Sequence, residues 1–304
     1  MKNKAMILLS MNLLLLTQEN ALADVNLQEG SYTLQRRDRV TFSSTSHLDL
    51  ERHYSSRSNY KGVLGLGWCS VLEWRFFAEQ RVLQKCDSFE ALPAKSTRKK
   101  DDLHQVLASK TETLIFDASA RLVGIEQRGQ RFLLKRDLTG RATLIQNPKG
   151  LLAALNDSAA LRSLTKVTVG ESEVLSFTYQ NAQLSRVGDD LYTYDASANM
   201  TRVYNKEDIT RIEYDPVKDQ VLLVADGFCE SRYSYQTQDS LSHVRDQVQS
   251  TRACAKQKRG VASDGPLTTT VTEFAYEKIG GGQIRLEKIS NLPSLERLSI
   301  ETKE

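Results

Sequence analysis

The stretch Tyr192–Val203, with the sequence YTYDASANMTRV, sets the pattern for much of the chain. Side chains two residues apart in a β-strand point to one face of the sheet. We therefore expect Tyr192 and Tyr194 to pack together against rings of neighbouring hairpins. Asp195 begins a turn in which its carboxylate can accept backbone hydrogen bonds, and Asn199, four residues later, tolerates positive φ. The stretch therefore predicts a β-hairpin.

Similar stretches recur along the chain. Ile212–Val221 repeats the aromatic-Asp pair at Tyr214 and Asp215, and the stretch around Tyr179 fits with Gln180 in the aspartate position. Weaker copies lie at Asp117, Asp137, Tyr235 and Tyr276. Tyr194 and Tyr214 are 20 residues apart, and a period of that size with one hairpin per copy is typical of repeat proteins. Because one hairpin cannot bury its aromatic face alone, we expect the copies to stack side by side.

The chain as a whole is predicted to be all-β, with repeated antiparallel hairpins forming an extended open sheet. Leu151–Leu164 is the exception, because its Ala and Leu content favours a brief helix. Asn156 and Asp157 in its middle could equally break it into a loop. An open row of hairpins leaves its end strands unpaired, and another chain can add strands there. We expect self-association or a β-rich protein partner at one end, with Leu48–Trp74 covering the other.

The N-terminus carries the features of a signal peptide. Lys2 and Lys4 precede the apolar run Ala5–Leu16, and Ala21–Ala23 supplies the small-x-small pattern that signal peptidase accepts. The run is too short to span a bilayer. We therefore predict cleavage after Ala23 and a periplasmic or secreted protein, without an integral membrane span after processing.

Four cysteines are present, and an even number in an exported chain favours disulfides. Three pairings are possible. Cys69 with Cys86 and Cys229 with Cys254 is the favoured one, because each pair is close in sequence. A zinc site is the competing interpretation, but no C-x-x-C motif is present and no His stands at ligand spacing from a Cys.

The composition excludes several classes of protein. The chain has 304 residues, of which 40% are hydrophobic and 26% charged, with a net charge of +3. This near balance gives no electrostatic reason to expect a nucleic-acid partner. The apolar content is too high for intrinsic disorder.

The hairpin stretches resemble the RHS or YD-repeat family. YTYDASANMTRV is similar to that family's Tyr-Asp-x-x-Gly-Asn-Leu hairpin, with Ala198 in the usual Gly position. Leu50–Trp68, which we call the opening segment, resembles the start of RHS proteins, where an Arg-x-Tyr-x-Ser strand precedes Gly-x-x-Gly-x-Gly-Trp. The residues that carry this second resemblance are Arg52, Tyr54, Ser56, Arg57, Gly62, Gly65, Gly67 and Trp68.

The resemblance implies a division of the chain and a shape. After the predicted signal peptide at residues 1–23, we expect an N-terminal RHS-type β segment at 24–113 and a YD-repeat β-sheet domain at 114–304. In the family the repeats form a long sheet that spirals into a hollow shell, often around a C-terminal toxin. This chain has far fewer repeats than a closed shell needs, so we expect a curved, open sheet.

No catalytic constellation is recognisable in the sequence. The Gly-x-Ser-x-Gly, His-Glu-x-x-His and phosphate-binding glycine motifs are missing. Asp189 and Asp190 could be taken for the paired carboxylates of a glycosidase, but turn positions explain the periodic aspartates better. We therefore predict no catalytic residue, no cofactor and no metal site. The basic runs Lys95–Lys100 and Lys256–Arg259, together with exposed tyrosine rings, leave an envelope polysaccharide open as a ligand.

The sequence thus predicts an exported, non-enzymatic scaffold or binding module of the cell envelope or exterior. The alternative is a component of an interbacterial RHS toxin system, in which the short sheet caps or completes a partner's β-shell.

Overall fold

The computed structural model describes residues 22–100, 102–158, 162–205, 208–239, 243–258, 261–264, 268–278 and 284–292. Over these ranges the regular structure consists of strands and two single-turn 3₁₀ helices, Val71–Glu73 and Ala94–Ser96, with no α-helix. The all-β prediction is confirmed. Residues 1–21, which make up most of the predicted signal peptide, lie outside the described ranges, so the predicted cleavage stays a prediction. Among the described residues, no helix is long and apolar enough to cross a bilayer.

Residues 22–91 form what we call the N-terminal module. Its main sheet has the order β1-β2-β3-β6, and two small sheets, β4-β5 and β7-β8-β9, follow it. Its strands are β1 (Leu22–Asn26), β2 (Ser31–Ser43), β3 (Ser46–Ser55), β4 (Lys61–Gly62), β5 (Gly65–Leu66), β6 (Trp68–Ser70), β7 (Arg75–Phe77), β8 (Val82–Lys85) and β9 (Ser88–Ala91). In β3 the alternate residues Leu48, Leu50, Arg52 and Tyr54 are buried. A charged residue thus occupies a row that the period of two assigns to the core.

A second, 19-stranded sheet follows, which we call the long sheet. Among the described residues its order is β10 to β28, so that each strand neighbours the next along the chain, and β25 also pairs with β27. Its strands are β10 (Thr97–Lys100), β11 (Leu103–Ser109), β12 (Glu112–Phe116), β13 (Leu122–Gln127), β14 (Gln130–Arg136), β15 (Ala142–Gln146), β16 (Leu152–Asp157), β17 (Leu164–Val169), β18 (Ser172–Gln180), β19 (Gln183–Val187), β20 (Asp190–Tyr194), β21 (Met200–Tyr204), β22 (Ile209–Tyr214), β23 (Val221–Ala225), β24 (Cys229–Asp239), β25 (His243–Lys258), β26 (Val261–Asp264), β27 (Thr268–Lys278) and β28 (Ile284–Leu292). The pairing is antiparallel throughout the described ladder.

Three details of the long sheet differ from the prediction. The expected division between residues 113 and 114 falls inside β12, because the hairpin β10-β11 already belongs to the same ladder. Leu152–Asp157 is strand β16, neither helix nor loop, because ladders to β15 and β17 outweigh its helix propensity. From β24 onward the strand lengths become irregular, with 11 residues in β24, 16 in β25 and 4 in β26. Tyr235 and Tyr276 therefore lie within β24 and β27, and not at the end of a strand as Tyr194 and Tyr214 do.

The N-terminal module lies along the face of the long sheet. Ser46 Oγ donates a hydrogen bond to Gln130 Oε1 at the start of β14, at 3.0 Å. Nine strands further along the sheet, Val221 of β23 donates its backbone N–H to the carbonyl of Gly30, at 2.9 Å. One continuous cluster of buried apolar residues joins the module to the sheet. The sheet therefore wraps around the module, and the expectation that Leu48–Trp74 covers one end of the sheet is wrong.

A common turn connects several hairpins. An Asp or Asn side chain accepts hydrogen bonds from the backbone N–H groups two and four residues later, and the residue three positions later has positive φ. The acceptors are Asp117, Asp137, Asn147 and Asp195, and the positive-φ residues are Ala120, Gly140, Gly150 and Ala198. The positive-φ position is thus Ala198 (φ 69°) and not Asn199 as expected.

Two other hairpins turn differently. At Asp215 the side chain accepts from Val217 and Lys218, and the positive φ shifts to Asp219, so this turn is one residue longer. Between β18 and β19, Asn181 and Ala182 both have positive φ and make a two-residue turn. Gln180 therefore ends a strand and does not take the aspartate role expected of it.

Candidate functional site

The guanidinium group of Arg52 lies at the centre of the contact between the opening segment and the long sheet. Arg52 is 1% exposed. Its Nε donates to Asp38 Oδ2 at 2.7 Å, its Nη1 to the Tyr192 hydroxyl at 2.8 Å, and its Nη2 to Asp190 Oδ2 at 3.2 Å. The Tyr192 hydroxyl in turn donates to Asp190 Oδ2 at 2.9 Å. One side chain thus ties β2, β3 and β20 together.

Aromatic rings enclose this guanidinium. Its Cζ lies 4.8 Å from the ring centroid of Trp68 and 5.4 Å from that of Tyr192, both within cation–π range. Burial alone lowers the pKa of Arg52, but the carboxylate of Asp38 and the Tyr192 hydroxyl outweigh that effect and raise it. Arg52 is therefore a permanent charge that organises the contact, and it cannot serve as a proton donor or acceptor.

Trp68 and Tyr54 extend the contact to the next hairpins. The Trp68 indole Nε1 donates to the Tyr194 hydroxyl at 2.9 Å. The Tyr54 hydroxyl donates to the carbonyl of Ala198 at 3.2 Å and accepts from the backbone N–H of Met200 at 2.9 Å. The opening segment thus makes direct hydrogen bonds to the backbone of the Asp195 turn.

Each tyrosine that precedes a turn makes the same kind of hydrogen bond. The hydroxyl of Tyr179 donates to Leu164 O at 2.6 Å, that of Tyr194 to Leu184 O at 2.6 Å, and that of Tyr214 to Met200 O at 3.0 Å. In each case the carbonyl belongs to the preceding strand, so each tyrosine locks its hairpin to the one before it. In the described part of the chain, the rings that contact Tyr192 and Tyr194 are those of Trp68 and Tyr54. The expectation that they pack on rings of neighbouring hairpins is therefore wrong.

The glycines of the opening segment permit close approach to the sheet and to Tyr54. Gly65 has φ 90°, and a Cβ there would lie 2.8 Å from the carbonyl oxygen of Ala182. Gly67 has φ 76°, and a Cβ there would lie 2.8 Å from the Tyr54 ring. Both the backbone conformation and the available space therefore require glycine at these two positions. Gly62 lies against the carboxylate of Glu73.

The remaining predicted residues lie at the rim of the same contact. Ser56 Oγ accepts from the backbone N–H of Tyr32 at 3.0 Å, and Arg57 Nη2 donates to the carbonyl of Lys218 at 2.6 Å. Arg57 thereby reaches the turn that Asp215 begins. The structure thus brings the opening segment and the repeat hairpins, two motifs far apart in sequence, into one contact.

Both predicted disulfides are present. Cys69 is bonded to Cys86, which ties β6, beside Trp68, to the end of β8. Cys229 is bonded to Cys254 at directly paired positions of β24 and β25. The prediction from sequence spacing is confirmed, and such bonds are typical of proteins of oxidising compartments.

Two acidic residues of the contact were not predicted from the sequence. Asp38 lies on β2 with no motif around it. The sequence could have indicated that Asp190 belongs to the contact, because it lies two residues before Tyr192 and therefore on the same face of β20. Its carboxylate is hydrogen-bonded to Arg52 and Tyr192, which explains it as a packing group. In the described ranges, no group of three or more His, Cys, Asp or Glu side chains is placed to hold a metal ion.

Comparison with known proteins gives one family match. Residues 23–88 match the model of a domain of unknown function, DUF6531. No curated protein matches the chain in sequence. The matched residues span nearly the whole N-terminal module, including Arg52, Trp68 and both ends of the Cys69–Cys86 bond, and they stop before the long sheet.

Proposed function

We propose that this protein is an exported, non-enzymatic β-scaffold or binding module of RHS/YD-repeat type, acting at the cell envelope or outside the cell. The observation that carries the proposal is the interlocked contact between the opening segment and the repeat hairpins. Arg52 meets Tyr192, Trp68 meets Tyr194, and Tyr54 meets Met200. The polar groups of both motifs are used for packing, which suits a scaffold better than a catalyst.

Export is supported by the disulfides and by the N-terminal pattern. Cleavage after Ala23 would leave Asp24–Asn26 of β1, whose partners in the β1-β2 ladder are Thr33, Tyr32 and Ser31. The ladder therefore survives processing in shortened form. Mass spectrometry of the exported protein should give Asp24 as its first residue.

The proposed partner surface is the end of the long sheet at β28. An edge strand offers backbone N–H and C=O groups to an added strand. At the other end, β10 carries the exposed residues Arg98, Lys99 and Lys100, and lysine-rich edges oppose strand addition. The open row of strands also supports the alternative function, a component of an interbacterial toxin system that caps or completes a partner's β-shell.

Site-specific photo-crosslinking tests the proposed partner surface. A photoreactive residue at position 288 of β28 should capture a protein partner, or a second copy, in the native envelope fraction, and one at position 99 of β10 should not. Capture of a repeat-rich toxin chain would favour the alternative. Equal results at both positions, or hydrolysis of a saccharide or peptide in a broad substrate screen, would contradict the proposal.

Two proline variants sharpen this test. Successive N–H groups of an edge strand alternate between the neighbouring strand and the open side. Of Lys288→Pro and Ile289→Pro, one should therefore disrupt the ladder to β27 and lower stability. The other should keep the fold and lose the captured partner. If neither variant loses the partner, strand addition at β28 is wrong.

A further inference from the structure

A cavity of about 210 Å³ lies where the N-terminal module meets the β13–β17 part of the long sheet. Its wall contains an excess of positive charge. Arg75, Arg121, Arg136 and Arg141 line it, together with only two carboxylates, Glu73 and Asp157.

Both carboxylates are already engaged. Glu73 accepts hydrogen bonds from the Tyr60 hydroxyl at 3.0 Å and from the backbone N–H of Val63 at 2.9 Å. Asp157 Oδ2 lies 2.7 Å from Arg141 Nη2. Of the four arginines in this wall, Arg141 is therefore the one that pairs with a carboxylate in the described part of the chain.

Arg136 is held by backbone carbonyls. Its Nη1 donates to Gly140 O at 2.8 Å, and its Nη2 donates to Leu72 O at 2.9 Å and Leu122 O at 2.7 Å. Burial lowers the pKa of Arg136, and the charges of Arg121 and Arg75 lower it further, against an opposing effect of Asp117. The carbonyls fix the guanidinium at the wall without neutralising it.

Arg75 and Arg121 face each other across an isolated antiparallel bridge. Like charges at directly opposed positions destabilise a sheet. Both residues are exposed, and among the described residues neither has an ion-pair partner. Trp74, which also lines the cavity, is 4% exposed, and its indole Nε1 has no hydrogen-bond partner within the described ranges. Donors and positive charge are therefore present in excess over acceptors.

We propose that this cavity binds a carboxylate, phosphate or sulfate group. Arg75 and Arg121 would supply the uncommitted donors, and Arg136 would supply a fixed positive charge. Arginine forks match the geometry of such oxyanions and make charge-assisted hydrogen bonds to them. The inference goes beyond the scaffold role and holds whether or not β28 recruits a partner.

Isothermal titration of the disulfide-intact protein tests this site, with sulfate, phosphate, glucuronate and uncharged glucose at constant ionic strength. We expect saturable one-site binding of the anions and none of glucose. The Arg75→Gln/Arg121→Gln double variant should bind about tenfold more weakly or worse, because two charge-assisted hydrogen bonds are lost. Arg131→Gln, an exposed arginine of β14 away from the cavity, makes the same kind of charge change and should bind as the unmodified protein does.

The probes also distinguish the source of the anion. Preferred binding of glucuronate identifies an acidic saccharide, and preferred binding of the inorganic ions identifies a free oxyanion or a phosphate or sulfate ester. Circular dichroism of the double variant shows whether its fold is retained, and the single variant Arg75→Lys, which keeps the charge and loses the fork, should weaken binding less. The proposal is overturned if none of the anions binds saturably, or if the double variant binds as tightly as Arg131→Gln.

Discussion

Arg52 is a charged residue in an apolar row. On β3 it follows Leu48 and Leu50 and precedes Tyr54, so the alternation of the strand places it in the core. Removing a guanidinium from water is costly, and the cost is offset only when every donor finds an acceptor. Asp38, Asp190 and Tyr192 supply those acceptors. The group thereby favours the observed position of the module on the sheet, in which its guanidinium meets these three acceptors.

The first prediction concerns this residue. Arg52→Ala should lower the free energy of unfolding by about 3–5 kcal/mol, because it removes the buried guanidinium that pairs with the partly buried carboxylates of Asp38 and Asp190. Arg52→Lys should also destabilise, since one ammonium cannot reach three acceptors in a fork arrangement. Urea unfolding is the measurement, with exposed Arg131→Ala as the control, expected within about 0.5 kcal/mol of the unmodified protein. Equal values for Arg52→Ala and the control would contradict the structure.

The hairpin turn is the repeated element of the long sheet. Its side-chain acceptor satisfies two backbone N–H groups, and its fourth residue adopts positive φ, which L-residues other than Asn and Asp disfavour. Glycine fills that position at Gly140 and Gly150, but alanine fills it at Ala120 and Ala198. The alanine turns are therefore strained relative to the glycine ones. The contact of Tyr54 with the backbone of Ala198 and Met200 helps to hold one of them in place.

The second prediction exchanges the two residue types. Ala198→Gly should stabilise the protein by about 0.5–1 kcal/mol, because relief of the strain exceeds the added chain entropy of glycine. Gly150→Ala should destabilise it by a similar amount. An added Cβ at Gly150 would meet nothing closer than Gln146 Nε2 at 3.8 Å, so the backbone effect is isolated. Thermal unfolding of both variants is the measurement, and shifts of the same sign would refute the common turn.

At the scale of the whole molecule, the long sheet wraps around the N-terminal module and buries a set of tyrosines between them. Burial raises the pKa of Tyr54, Tyr179, Tyr192, Tyr194 and Tyr214. Because the folded-state pKa lies above the unfolded value of about 10, the unfolded chain loses these protons first. Their contribution to stability is complete below about pH 10 and is lost as the pH rises past that value.

The third prediction follows from the raised pKa of these buried tyrosines. On raising the pH above about 10, the phenolate absorbance of the buried tyrosines should appear together with loss of the β-sheet circular dichroism signal. Tyr192→Phe and Tyr194→Phe variants should show a smaller phenolate change in that shared transition. Complete phenolate formation with an intact circular dichroism spectrum would contradict the burial of these hydroxyl groups.

Local features of this protein follow from the sequence alone. The Asp195 hairpin, the same-face placement of Tyr192 and Tyr194, and the disulfides between near neighbours depend on interactions within one or two strands. Such interactions are set by the strand period, by turn chemistry and by short loop lengths. Similarity to the hairpin at Asp195 therefore identified the repeats at Asp117, Asp137 and Asp215 correctly as turns. It missed Asn147, whose side chain makes the same turn without an aromatic residue before it.

Only the tertiary structure determines how the opening segment and the repeat hairpins contact each other. Arg52 and Tyr192 are 140 residues apart in sequence. The contact between them depends on the twist and curvature that the sheet accumulates over all the strands up to β20. No short stretch of sequence specifies that accumulated twist. For the same reason the module was expected at one end of the sheet, whereas it lies along the face. The arginine-lined cavity arises in the same way, because Arg75 and Arg121 are brought together by a bridge between the module and the sheet.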